Sequence, residues 1–170
     1  MSSRTLLLLV MLALIILNYF HILYFNIFTH SLPQGVYLRT KGSPRIDEYA
    51  ATCLTPTIAR YGIAKGYLAQ GNCDSGTVLV LKIIKGLPGD HYKVDNKNLE
   101  LNGHSYRIMN KDSSSRALRS FFVQNEGILD KGKYILLSDF VPNSWDSRYW
   151  GPVGIQFLLK PLWILENVKK

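Results

Sequence analysis

The sequence predicts a mainly β protein: a coiled antiparallel sheet or partly open barrel, preceded by an N-terminal transmembrane helix and interrupted by a small helical cap. Three observations carry this reading. From Thr77 onward, short β-branched or alternating apolar runs recur between turn residues. An Asn102-Gly103 step separates two such runs, a strong hairpin signal. At the other end, "TLLLLVMLALIILNYFHILYFNIF", Thr5 to Phe28, contains no charged residue.

The apolar run comes first. At ~1.5 Å of rise per residue a helix over Thr5–Phe28 reaches about 36 Å, enough to cross a bilayer core. Its polar interruptions are Asn18, His21 and Asn26, and its second part carries Tyr19, Phe20, Tyr24, Phe25 and Phe28, aromatics suited to the headgroup boundary. A cleavable signal peptide is the competing reading. The bulky residues after the run and the lack of a small-x-small site before Ser31 favour an uncleaved signal anchor over residues 1–28. Arg4 alone precedes the run whereas Arg39, Lys41 and Arg45 follow it, but long domains translocate largely regardless of such counts.

Residues 29–170 form one folded domain, since 170 residues with 47% hydrophobic content suffice for one core and an anchor but not for two ordinary domains. Its entry, Ser31 to Thr40, is extended and turn-rich, with Pro33 and Gly35. A cap insertion follows at about residues 41–76, where Thr55-Pro56 starts a helix as N-cap and first helical residue. Ile58, Ala59, Tyr61 and Ile63 give that helix an apolar face weakened by Gly62 and Gly66. Cys53 and Cys73 bracket it: a disulfide on the oxidising side of a membrane, two thiols in the cytoplasm. With no CxxC and no His-Cys ligand spacing, a zinc site is not expected, nor is any other metal or cofactor.

The strand candidates then run "TVLVLKII", "GDHYKVDN", "LELNGHSYRI", "RSFFVQ", "GKYILLSD" and "IQFLLKPLWIL". The net charge of +8 is scattered over Arg39, Lys41, Arg45, Lys82, Lys93, Arg119, Lys131 and Lys169-Lys170 rather than gathered in a stripe, which argues against nucleic acid as a partner.

Lys82 stands in the middle of "VLVLKIIKGLPGD". On a buried strand, desolvation of the ammonium would lower its pKa and make it a usable general base. On a half-buried strand it would snorkel to solvent. A second polar constellation, "SDFVPNSWDSRYWGPV", gathers Ser144, Asp146, Ser147 and Arg148 ahead of Gly151.

These stretches resemble the lysine box and the "NSxDSRxxGxV" box of type I signal peptidases, serine-lysine proteases of the inner membrane, and "SLPQGVY" resembles the nucleophile segment of their conjugative-transfer, TraF-type branch. The order anchor, serine, lysine box, serine-aspartate box matches throughout. The resemblance implies Ser31 as nucleophile, Lys82 as general base and Ser144 as the hydroxyl that orients the lysine amine. It implies a supporting Asp146–Arg148 ion pair and a structural turn of Gly86, Pro88, Gly89 and Asp90. The family's "SxSM" places an oxyanion-hole serine two residues before the nucleophile, and here that place is Thr29. His30 is a poor base for its neighbour, since adjacent side chains of an extended segment point to opposite faces; His91 and His104 read as surface residues.

The functional expectation is a single-pass inner-membrane serine endopeptidase whose catalytic domain faces the periplasm. It would remove the signal sequence from a membrane-bound exported precursor, a conjugative pilin subunit, with cyclisation of the product open to the TraF-type branch. Inner-membrane lipid and other conjugative-transfer proteins are the further partners expected. A housekeeping signal peptidase and a non-enzymatic assembly factor are the alternatives.

Overall fold

The computed structural model describes residues 2–19, 22–109 and 125–165. Helix α1 (Ser3–Tyr19) leads into β1 (Leu23–Asn26), β2 (Gly35–Thr40) and β3 (Tyr49–Thr52), followed by α2 (Pro56–Ala64). Then come β4 (Val80–Gly86), β5 (His91–Val94), β6 (Asn98–Leu101), β7 (His104–Arg107), β8 (Glu126–Ile128) and β9 (Ile135–Leu137). A short helix, α3 (Ser147–Trp150), precedes β10 (Phe157–Ile164).

The strands form an open six-stranded sheet in the order β1-β2-β10-β3-β4-β9 and an open four-stranded sheet in the order β7-β6-β5-β8. Every pairing between these strands is antiparallel, and neither sheet closes into a barrel. The last strand therefore lies inside the larger sheet: β10 pairs with β2 on one edge and β3 on the other, with a register shift beside Pro161, which has no N–H for a ladder. The Asn102-Gly103 turn joins β6 to β7 with φ of 48° and 82°, the left-handed pair that a two-residue hairpin favours.

The period of two along each strand divides the core. Val80 and Ile84 of β4, with Ala50 and Leu158, pack against the cap and α3 on one face of the large sheet. Leu81 and Ile83, with Tyr37, Ala51 and Leu159, fill the opposite face. A third cluster, including Tyr92, Leu99 and Leu101, joins the small sheet to β9. Lys82 shares its parity with Val80 and Ile84, so its stem enters a covered face rather than solvent.

Two expectations need correction. The apolar segment Thr5–Phe28 is not one helix: α1 stops at Tyr19, and Leu23–Asn26 pairs residue for residue with Leu38–Gly35. Aromatic residues suit a strand as well as a membrane, and Asn26, 2% exposed, donates from its amide to the carbonyls of Leu32 and Pro33, bonds that a continuous helix would lose. No helix among the described residues is long and apolar enough to cross a membrane. The entry segment is extended, as β2, from Gly35, but the insertion contains β3, a strand of the main sheet, so the helical cap begins only after Thr52. The strand expected at "RSFFVQ" lies outside the described residues.

Cys53 and Cys73 are bonded, clasping the end of β3 to the hairpin after the cap helix. The cap rests on Trp145, whose indole stacks with Tyr61 at 6.5 Å and lies 5.4 Å from the Tyr67 ring. Gly62, a defect by helix propensity, is the seat of that contact: a Cβ there would lie 2.7 Å from the Trp145 ring. Gly62→Ala is therefore expected to destabilise the chain by about 1–3 kcal/mol in urea unfolding, against the ~1 kcal/mol gain that an unobstructed helix would give.

Candidate active site

Ser31 lies in the turn between β1 and β2, and that turn is tied down on several sides. The Asn26 carboxamide oxygen accepts from Thr29 N–H at 3.3 Å and Thr29 Oγ1 at 2.8 Å, while its nitrogen donates to the carbonyls of Thr29, Leu32 and Pro33. Leu32 is completely buried, and the Tyr37 hydroxyl also donates to the Pro33 carbonyl. Burial, and secondarily the neighbouring Tyr49, push the Tyr37 pKa up, so the phenol keeps its proton. The carbonyl of Ser31 itself accepts from Ser138 Oγ at 2.8 Å.

Lys82 reaches this turn from β4. Its Nζ lies 2.5 Å from Ser31 Oγ and 2.8 Å from Ser144 Oγ, in a residue only 3% exposed. Lys85, three residues on, has a different environment, between Asp47 and Asp139 at 2.6 and 2.7 Å. Burial opposes its charge, but the two carboxylates prevail and hold its pKa above the ordinary value.

Ser144 and its neighbours are fixed by Asp146, which has no exposed surface. One carboxylate oxygen accepts from Arg148 Nε at 2.8 Å and Arg148 N–H at 3.2 Å; the other accepts from Arg148 Nη2 at 2.7 Å and from Ser138 N–H at 3.3 Å. Arg148 Nη1 donates to the carbonyls of Arg107 and Pro142, at 3.1 and 3.2 Å. Burial disfavours the guanidinium charge, but the hydrogen bonds and charge of Asp146 more than offset this and raise its pKa. Ser147 Oγ accepts from Leu136 N–H at 2.9 Å, pinning α3 to β9.

The structure thus brings together Ser31, Lys82 and Ser144, with Asp146 and Arg148 behind them. Thr29 is close by, but its hydroxyl proton is engaged by Asn26, so it serves an oxyanion only if that bond breaks. The turn of Gly86, Pro88, Gly89 and Asp90 stands apart: Asp90 accepts from Leu87 N–H at 2.7 Å and Gly89 has φ +94°. The exposed His30 makes no contact with the Ser31 hydroxyl, and His91 pairs with Glu126 at 3.4 Å on the surface. No cluster of potential metal ligands occurs among the described residues.

Sequence reasoning missed Asn26 and Ser138. A lone amide in an aromatic run and a serine directly after "YILL" were the only signals.

A cleft of ≈ 620 Å³ opens over Ser31 and Lys82. Its walls are the segment Tyr24–Ser31 on one side and Val78–Lys82 on the other, with Tyr67 and Leu68 of the cap above. Strand β1 pairs only with β2, so its outer edge borders the cleft without a partner strand among the described residues.

A buried amine thus lies within hydrogen-bond distance of a hydroxyl beside a cleft, and the chain belongs to the signal peptidase family, peptidase S26, whose pattern matches residues 3–159. This is a family of serine endopeptidases. Among its relatives, a plasmid transfer protein TraF of Escherichia coli is 28% identical over 132 residues, covering 74% of this chain and 73% of that protein. A conjugal transfer protein TraF of Agrobacterium fabrum is 29% identical over 108 residues, 60% and 58% of the two chains. The crystal structure of a signal peptidase I from Enterococcus faecalis matches at 22% identity and a TM-score of 0.37, covering 71% of this chain and all of that one.

Removing the guanidinium would strand the Asp146 carboxylate. Arg148→Met is expected to cost about 3–5 kcal/mol in urea unfolding, and adding Asp146→Asn should restore part of it, because the second change removes the unpaired buried charge.

Proposed function

We propose that this chain is a membrane-anchored serine endopeptidase that removes the signal sequence from an exported precursor, with Ser31 as nucleophile and Lys82 as general base. The observation that carries the reading is the buried Lys82 amine, 2.5 Å from one hydroxyl and 2.8 Å from a second. Desolvation works against the ammonium form, and a neutral amine can take the Ser31 proton as Oγ attacks the scissile carbonyl. The oxyanion forms beside the Ser31 N–H. The Lys82 ammonium then returns the proton to the leaving amine, leaving an ester on Ser31. Water, deprotonated by the same amine, attacks the ester, and the serine is regenerated as the acid product leaves. Ser144 holds Nζ on this line throughout.

The precursor we propose is a pilin subunit of a conjugative apparatus, a reading supported by the names of the plasmid and conjugal transfer relatives. Where the cut falls instead near the precursor's C-terminus, the ester on Ser31 is borne by the pilin itself and the trimmed tail leaves as the amine; attack by that pilin's own amino group in place of water then closes an amide, frees the serine and gives a circular product. The anchor is α1, whose described side chains are exposed almost all round, aided by the apolar rim of Phe28, 86% exposed, and Trp163, 62% exposed. The Cys53–Cys73 disulfide supports a catalytic domain on the oxidising, periplasmic side of the inner membrane.

The test is the intact mass of a co-expressed pilin precursor incubated with membranes carrying the chain. Ser31→Ala and Lys82→Arg should each lower the processing rate on the order of 10³-fold, since neither can supply its half of the proton transfer. Normal processing by Lys82→Arg would instead favour a scaffolding role. A product lacking one water relative to the trimmed linear chain would establish cyclisation. Ser138→Ala, which frees the Ser31 carbonyl, should lower kcat about five-fold with little change in KM, the equivalent of one hydrogen bond of ~1 kcal/mol.

A further inference from the structure

The cleft over Ser31 does not end at β1. Tyr24, Phe25, Val78 and Leu79 also wall a second cleft of ≈ 700 Å³, so the two spaces share sides and follow one another along the strand. The shared wall is built closely: Val78 N–H donates to the Ala69 carbonyl, and Gly71 sits so near Val78 that a Cβ would come within 2.7 Å of it. The Cys53–Cys73 bond clasps this hairpin to β3 beside the distal space.

Arg39 lines the distal cleft. Its backbone N–H donates to the Ile22 carbonyl at 2.8 Å, beyond the start of β1, and its neighbour on β10 is Leu159. The guanidinium carbon lies 3.7 Å from the centroid of the Phe157 ring. Stacking covers one face of the guanidinium and restricts its rotation, while the donors at its edge remain suited to a carboxylate. None of the ion pairs among the described residues involves Arg39; Asp74, on the same cleft, does not reach it. An arginine held by an aromatic ring and left without a counterion, in a space continuous with a catalytic groove, is placed to read charge on whatever extends along that groove.

We propose that the distal cleft is an extended subsite for the precursor, in which Arg39 binds an Asp or Glu side chain remote from the bond that is cut. This rests on the peptidase reading above. An extended chain advances ~3.3 Å per residue, and Arg39 adjoins Ile22 at the end of β1 far from Ser31, which sets the acidic residue roughly four to eight positions from the scissile bond. The occupant is the substrate's own continuation because the cleft shares its walls with the groove that holds the reacting segment, and because the Arg39 donors there are not taken by Asp74 on the same cleft.

The experiment uses the detergent-solubilised full chain and an otherwise uncharged peptide with small residues around its centre, into which a single Glu or Lys is placed at successive positions. With the wild-type chain, Glu should be preferred over Lys about ten-fold in kcat/KM within one window of positions, mainly through KM, and the preference should weaken at high salt. Arg39→Glu should reverse the preference within the same window, while Arg39→Lys keeps its sign. Because each preference is a ratio measured on one enzyme sample, a partly unfolded variant does not mimic a reversal. Cleavage indifferent to charge at every position would overturn the subsite and leave the peptidase reading standing. Peptide binding by Ser31→Ala, followed by fluorescence anisotropy, separates the opposite case: Arg39-dependent preference for the Glu peptides without any cleavage by the wild-type chain would keep the subsite and sink the peptidase reading.

Discussion

A carboxylate with no exposed surface must find all its partners within the protein, and Asp146 does so by gathering the site around itself. Arg148 takes three of its contacts, and Ser138 N–H takes another. Each partner then reaches further. Arg148 donates to the carbonyl of Arg107, at the end of the smaller sheet, and Ser138 Oγ donates to the carbonyl of Ser31. The pair is thus a joint between both sheets and the β1–β2 turn. Its removal does not simply subtract one ion pair, because several backbone groups lose their positions with it.

The same logic explains how Lys82 tolerates burial. The strand sequence alone left two environments open, a covered face or a half-solvated one. The sheet decides, because β4 is flanked by β3 and β9 and both its faces are packed. An ammonium there loses hydration, while the hydroxyls of Ser31 and Ser144 accommodate a neutral amine as readily as a charged one.

How much was legible follows from the range of each interaction. The Asn102-Gly103 hairpin, the helix begun at Thr55-Pro56 and the Asp90 turn are local, and each carried its own signal. The serine and lysine stretches were legible through resemblance, although their meeting spans 51 positions of chain. The β1 strand was not legible. An aromatic, uncharged stretch satisfies a bilayer and a sheet equally, and only pairing with β2 separates the two. Asn26 and Ser138 escaped for a related reason: a single amide or hydroxyl has no periodicity, and its role depends on which carbonyl the fold brings to it. Gly62 looked like a weak point in a helix and is instead the place where Trp145 fits, a fact that resides in the partner's shape.

The position of β10 bears on the timing of assembly. In the large sheet, β1 and β2 flank the segment with Ser31, and β4, paired with β3, carries Lys82; the strand that joins these halves, β10, follows all of them in the chain. Until residues 157–164 have emerged, the sheet has no ladder connecting the Ser31 side to the Lys82 side. Such long-range closure is slow compared with hairpin formation. Before β10 pairs, Ser31 and Lys82 therefore sit on two separate pieces of sheet, and their 2.5 Å contact is a property of the completed ladder rather than of either hairpin.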